Sequence, residues 1–150
     1  MTEPCDLSAV AARRMIGARQ LSPVELLESC LARTAAVDHA VNAMVALDTD
    51  RARAAAKVAE AAVMKGDKLG PLHGLPIGIK DLEETAGLRT TFGSPLFADH
   101  VPAEDQAMVA NLRAAGAIVM GKTNTPEFGA GANTRNAVYG ATGNAFDPSK

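Results

Sequence analysis

Apolar residues recur at helical spacing from the start of the chain. Leu7, Val10, Ala11, Met15 and Ala18 predict a short amphipathic helix over 7–18, ending near Gly17. Ser22-Pro23-Val24-Glu25 is a helix start. Ser22 can cap, Pro23 suits the first helical position and Glu25 can close a capping box. Val24, Leu27, Leu31 and Thr34 then fall on one stripe, which carries this second helix to about Val37. Residues 42–47 form an apolar run of strand length, and Asp48-Thr49-Asp50 offers capping oxygens to a third helix that stops at Lys65-Gly66.

The texture changes after Gly66. Gly70, Gly74 and Gly78 with two prolines describe a loop leading into a strand, in which Leu75, Ile77 and Ile79 share one face and Pro76, Gly78 and Lys80 the other. Residues 105–115 read as a helix closed by Gly116, and 117–120 as a short strand within a sheet. Helices alternating with short apolar strands give an α/β fold. Eight of the residues beyond Gly121 are Gly or Asn, so little regular structure is expected there.

Composition narrows the function classes. The 150 residues are 47% hydrophobic and 21% charged, with a net charge of -2, which fits a globular chain and supplies no basic field for direct nucleic-acid binding. The acidic start lacks a signal peptide, and no apolar run approaches the ~18 residues of a membrane span, so the expected location is cytoplasmic. Cys5 and Cys30 form neither a disulfide framework nor a zinc pattern and read as reduced thiols. His39, His73 and His100 share no metal-ligand spacing, so no metal is expected. The stop at Phe146-Asp147-Pro148-Ser149-Lys150, straight after a Gly- and Asn-dense stretch, does not look like a finished domain end.

Two glycine patterns compete for a nucleotide. Gly116 to Gly121-Lys122-Thr123 satisfies the phosphate-loop spacing, but an apolar strand occupies the place of the turn and Pro126 would disturb a following helix. Gly129-Ala130-Gly131-Ala132-Asn133-Thr134 is a weaker mimic that follows no strand. Lys80 is a stronger candidate, because it closes a strand where open α/β sheets place ligands, with Gly78 and Pro76 leaving room on its face. Desolvated there, its amine could serve as a general base; the rival reading is a solvated lysine paired with Asp81 or Glu83. Ser8, Ser22, Ser29, Ser94 and Ser149 include no Gly-x-Ser-x-Gly elbow, and none is a convincing nucleophile.

Gly70-Pro71-Leu72-His73-Gly74-Leu75-Pro76-Ile77-Gly78-Ile79-Lys80-Asp81, Thr90-Thr91-Phe92-Gly93-Ser94, Ala115-Gly116-Ala117 and Gly121-Lys122-Thr123-Asn124-Thr125-Pro126-Glu127-Phe128 stand in order along the chain. Together they resemble the amidase signature family over most of residues 21–150. The resemblance implies a mixed β-sheet covered by helices and a cofactor-free, metal-independent Ser-Ser-Lys triad acting on a small-molecule amide. Lys80 corresponds to the lysine of the Ile-Lys-Asp motif, the general base that works through a bridging serine.

By the same likeness, Thr123, Asn124 and the backbone of Phe128, Gly129, Ala130 and Gly131 line or brace the substrate pocket, with hydrogen bonds that merely hold a long loop as the alternative. The bridging serine and nucleophile belong to Gly/Ser-rich segments expected after Pro148. Residues 1–150 are therefore expected to be the N-terminal part of a single amidase domain, inactive alone. The parent could be a stand-alone amidase, with a homo-oligomer as its assembly, or the glutaminase component of a tRNA-dependent amidotransferase with partner subunits. A non-catalytic nucleotide-binding module built on Gly121-Lys122-Thr123 is the reading from another class.

Overall fold

The computed structural model describes residues 3–147 and 150, so Pro148 and Ser149 lie outside the described residues. The elements in order are α1 (Ala9–Gly17), α2 (Pro23–Val41), β1 (Met44–Leu47), α3 (Thr49–Lys65), β2 (Pro76–Lys80), α4 (Ala107–Ala114), β3 (Ile118–Thr123), β4 (Arg135–Asn136) and β5 (Gly140–Ala141). Among the described residues no helix is long and apolar enough to cross a membrane.

The chain divides into two compact units. The first gathers the described residues up to Thr34 with Asp48–Ile77 and Asn111–Met120. Its core is Ala12, Ile16, Leu21, Leu26 and Val63, with Leu7, Met15, Cys30, Leu69 and Leu75 packed around it. The caps form as the residue types dictate. Ser8 Oγ accepts from Ala11 N–H, Ser22 N–H donates to Glu25 Oε2 at 3.0 Å, and Val24 N–H donates to Ser22 Oγ at 3.0 Å. Asp48 caps α3, and Gly66 ends it with a left-handed φ of 80°. Two glycines hold the loop before β2 against its neighbours. A Cβ on Gly74 would meet Pro23 and Ile16, and one on Gly116, at φ 94°, would meet the His73 backbone.

The second unit contains Ala35–Leu47, Gly78–Ala110 and the described residues from Gly121 onward. Here β1 pairs antiparallel with β3, Ala46 opposite Lys122 and Leu47 opposite Gly121. The three-stranded sheet has the order β1-β3-β2. Ile118 N–H bonds Leu75 O and Asp81 N–H bonds Thr123 O, so residue numbers rise together and β2 runs parallel to β3. The sheet is therefore mixed, as expected.

Several boundaries depart from the sequence pattern, α1 starting at Ala9 rather than Leu7 and β1 at Met44 rather than Asn42 among them. Helix α2 continues four residues past Val37, because no breaker intervenes before Asn42, whose φ of 56° turns the chain toward β1. Its buried face takes Leu26 with Leu27 and Leu31, while Val24 is half-buried. Helix α4 starts at Ala107, since the Asp105 carboxylate accepts Ala86 N–H at 2.8 Å. Strand β3 runs three residues beyond Met120, and the short β4–β5 ladder interrupts the irregular tail.

Candidate active site

Lys80 is the last residue of β2, and its side chain is exposed. Its backbone is not free. Ile79 before it is buried, and Asp81 after it is wholly buried and fixed on every polar atom the turn offers. Asp81 N–H donates to Thr123 O at 2.9 Å, Asp81 O accepts Phe92 N–H at 3.0 Å, and the carboxylate accepts Thr91 N–H and, at 2.5 Å, Thr91 Oγ1–H. Glu83 N–H then donates back to Lys80 O at 3.0 Å, closing a turn around the lysine. The exposure of Lys80 agrees with the rival expectation of a solvated strand-end lysine rather than a desolvated one; of the two partners that expectation named, Asp81 and Glu83, the Asp81 carboxylate is occupied by Thr91.

The buried lysine is Lys122. It is the largest of the fully buried side chains, and its three ammonium protons meet three acceptors: Glu83 O, Thr85 Oγ1 at 3.0 Å and Thr90 Oγ1 at 3.0 Å. Burial pushes its pKa down from 10.5 to about 8, against the opposing pull of the Asp81, Glu83, Asp105 and Glu84 charges. Thr85 in turn donates to Glu83 O, and Thr90 to Leu88 O. The alternation of β3 carries a signal for this position: Ile118, Met120 and Lys122 share one strand face, and the first two are buried apolar residues.

These contacts correct the nucleotide-loop reading. Gly121-Lys122-Thr123 is strand paired with β1, the Lys122 ammonium is buried on protein acceptors, and among the described residues no α-helix follows Thr123, only the 3-10 turn Glu127–Gly129. A Cβ on Gly121 would run into Ala46 O, so this glycine serves strand pairing. The Gly129–Thr134 mimic likewise precedes no helix among the described residues.

Phe128, Gly129, Ala130 and Gly131 lie together on an exposed stretch that begins in the 3-10 turn Glu127–Gly129. Phe128 (φ 50°) and Phe92 (φ 55°) both take the left-handed region that few aromatic residues adopt, and Phe128 N–H donates to Phe92 O at 2.7 Å. Their rings flank Phe97, with centroids 5.1 Å (Phe92) and 6.2 Å (Phe128) away, and His100 stacks on Phe92 at 6.1 Å. Asn124 braces the following loop: its Oδ1 accepts from Asn136 Nδ2 at 2.7 Å, and its Nδ2 donates to Thr142 Oγ1 at 3.0 Å. Thr123 sets its methyl 2.8 Å from where a Cβ on Gly78 would fall. Arg89 lies over the Tyr139 ring at 5.1 Å, and burial, then the Asp81 charge, pushes the Tyr139 phenol up.

The remaining hydroxyls have other work. Ser8 and Ser22 cap helices, and Ser29 Oγ accepts Cys5 N–H at 3.1 Å. Ser94 is fully buried with no partner for Oγ among the described residues, and Ser149 lies outside them. Cys5 and Cys30 are free thiols, and burial pushes the Cys30 thiol up. His73 Nε2 lies 3.0 Å from Ala59 O and His100 Nε2 3.1 Å from Glu84, both local contacts. Among the described residues no three metal-ligating side chains cluster.

A family model described as Amidase matches residues 25–150. A glutamyl-tRNA(Gln) amidotransferase subunit from Chloroflexus aurantiacus is 41% identical over 150 residues, covering 100% of this chain and 31% of that protein. The corresponding protein of Acidothermus cellulolyticus is 41% identical over 143 residues, 95% of this chain and 28% of its own. Among solved structures, an amidase superposes with a TM-score of 0.86 at 35% identity, covering 96% of this chain and 33% of its own. A bacterial aryl acylamidase of the amidase signature enzymes gives 0.88 at 28% identity, covering 94% and 30%. The chain thus spans about three-tenths of the length of the relatives it matches.

Proposed function

We propose, from the premise that the chain belongs to the amidase family, that Lys80 is the general base of an amide hydrolase. The observation that carries this reading is the immobilised backbone at the carboxyl end of β2, which fixes where the Lys80 amine leaves the sheet; that amine is exposed within residues 3–147, and its action as a base requires desolvation by the polypeptide that supplies the serines. A base must present its nitrogen to a proton at hydrogen-bond distance, and a pinned Cα leaves only the side chain to be ordered.

By the family likeness a serine pair completes the triad, and on this reading it is supplied by polypeptide outside residues 3–147, the serines at 8, 22, 29 and 94 being in caps, bonded or buried. In that arrangement Lys80 Nζ takes a proton from the bridging serine, which takes one from the nucleophile as its oxygen attacks the amide carbon. Protonation of the leaving nitrogen releases ammonia or an amine, and water then cleaves the acyl-enzyme. Residues 1–150 act as the N-terminal part of one amidase domain. Phe128, Gly129, Ala130 and Gly131 present the exposed wall against which the substrate lies.

A second reading within the family is favoured by the two 41%-identical relatives, both components of an amidotransferase named for glutamyl-tRNA(Gln). On that reading the amide is glutamine and the ammonia passes to a partner protein. Ammonia release separates the two. The polypeptide carrying this chain with its serine segments is expected to hydrolyse simple amides unaided if it is a stand-alone amidase. Glutamine turnover that requires partner subunits with charged tRNA identifies the amidotransferase component. Residues 1–150 alone should release no ammonia from either class of substrate; turnover by the isolated chain would overturn the assignment of roles.

A further inference from the structure

We propose that Lys122 is a positioning residue for Lys80, holding the turn that fixes where the Lys80 side chain leaves the sheet; this rests on the reading of Lys80 as the base. The path between them is short and wholly polar. Lys80 O accepts from Glu83 N–H, and Glu83 O is captured by Lys122 Nζ from the adjacent strand. The same ammonium holds Thr85 and Thr90, and Leu88 N–H donates to Thr85 O, so the loop from 83 to 90 closes on one buried cation.

Asp81 clamps the other side. Its N–H is bound to Thr123, the residue after Lys122, and its carboxylate to Thr91, the residue after Thr90. Lys80 therefore sits between two strand-end anchors that both trace to β3. A fully buried ammonium with all three protons matched carries a desolvation cost that an apolar residue at this position of β3 would not. What the cation provides is a single geometry for a three-acceptor cluster. Preorganisation of that kind is required where a catalytic nitrogen must be held within about 0.5 Å of its working position.

The test uses the polypeptide that shows Lys80-dependent turnover, with Lys80→Ala, Lys122→Met and the double variant compared by kcat and KM. Lys122→Met is expected to lower kcat about a hundredfold, the scale of a roughly 1 Å misplacement. KM should stay within about twofold, because substrate binding is not what the turn controls. In the Lys80→Ala background the same substitution should cost nothing further, since Lys122 acts only through the amine already removed.

Thr90→Val covers the case in which Lys122→Met does not fold. It removes one acceptor, and a loss of about tenfold in kcat with the same non-additivity is expected. Equal losses in both backgrounds, or an unchanged kcat with Lys80 in place, would overturn the positioning role while leaving Lys80 as the base. Full turnover in Lys80→Ala would overturn both.

Discussion

β2 and β3 run parallel, and each carries a lysine near its carboxyl end, yet the two side chains have opposite fates. Lys80 stands in solvent with its backbone bound, whereas Lys122 is fully buried with its ammonium bound. The difference comes from neighbours. β3 is the central strand, so the side chain of Lys122 has a loop folded over it, and that loop supplies a carbonyl and two threonine hydroxyls at the ammonium's three protons. β2 is an edge strand of the described sheet, and its last side chain is exposed. A lysine at a strand end is thus a free amine or a structural bolt according to which strand carries it.

The glycines of the same two strands give the sharpest way to break this contrast. Gly121→Ala drives a methyl into a backbone carbonyl of β1 that cannot move without unpairing the strand, and should cost about 3 kcal/mol in urea unfolding. Gly78→Ala meets side chains first, the methyl of Thr123 and the Met44 thioether, rather than a backbone carbonyl, and should cost about 1 kcal/mol. Equal costs would mean that β3 is not held more tightly than β2.

Lys122→Met comes next, with an expected loss of about 2 kcal/mol, because Glu83 O, Thr85 and Thr90 lose their common donor inside the protein. Its pH dependence sharpens the point. The folded state releases the Lys122 proton near pH 8, whereas the unfolded chain keeps it to about 10.5. Between those values the unfolded state binds more protons, so the native protein should gain stability as pH rises from 8 to 10.5. Below pH 8 both states are protonated and this contribution is flat. Lys122→Met should lack the rise; identical pH profiles of the urea midpoint would contradict a buried ammonium.

The smallest effect is expected at Ser94. Its Oγ is buried without a partner among the described residues, so Ser94→Ala should change stability by no more than about 1 kcal/mol, toward gain if anything. Turnover should be untouched, which would also exclude this hydroxyl as the nucleophile.

The sequence is most informative where a single residue type does a local job. Ser22 with Glu25, Asp48, Gly66 and Gly116 bound their helices where pattern reading puts them, because caps and left-handed stops act within four residues. A strand ending at Lys80 follows in the same way, as Pro76–Lys80, with Ile79 buried and Lys80 exposed, although Leu75 and Ile77 are no more buried than Pro76 and Gly78. Legibility fails where the decisive partner is distant in sequence. Lys122 looks like a polar strand exit until Glu83, Thr85 and Thr90, between 32 and 39 positions earlier, close over it. The left-handed turns at Phe92 and Phe128 are equally hidden, since aromatic residues give no signal for positive φ and the contact joining them spans the intervening helix α4 and strand β3.

The division of labour between the two amines is open to one direct measurement: competitive acylation of the native protein with a trace of activated ester, followed by peptide mass analysis of each lysine. Lys80 should label at least about tenfold faster than Lys122, as expected for an exposed amine against one sealed from water, and in the catalytically complete polypeptide turnover should fall in step with Lys80 modification. Labelling of Lys122 at the rate of Lys80, or full turnover after Lys80 is blocked, would contradict the account.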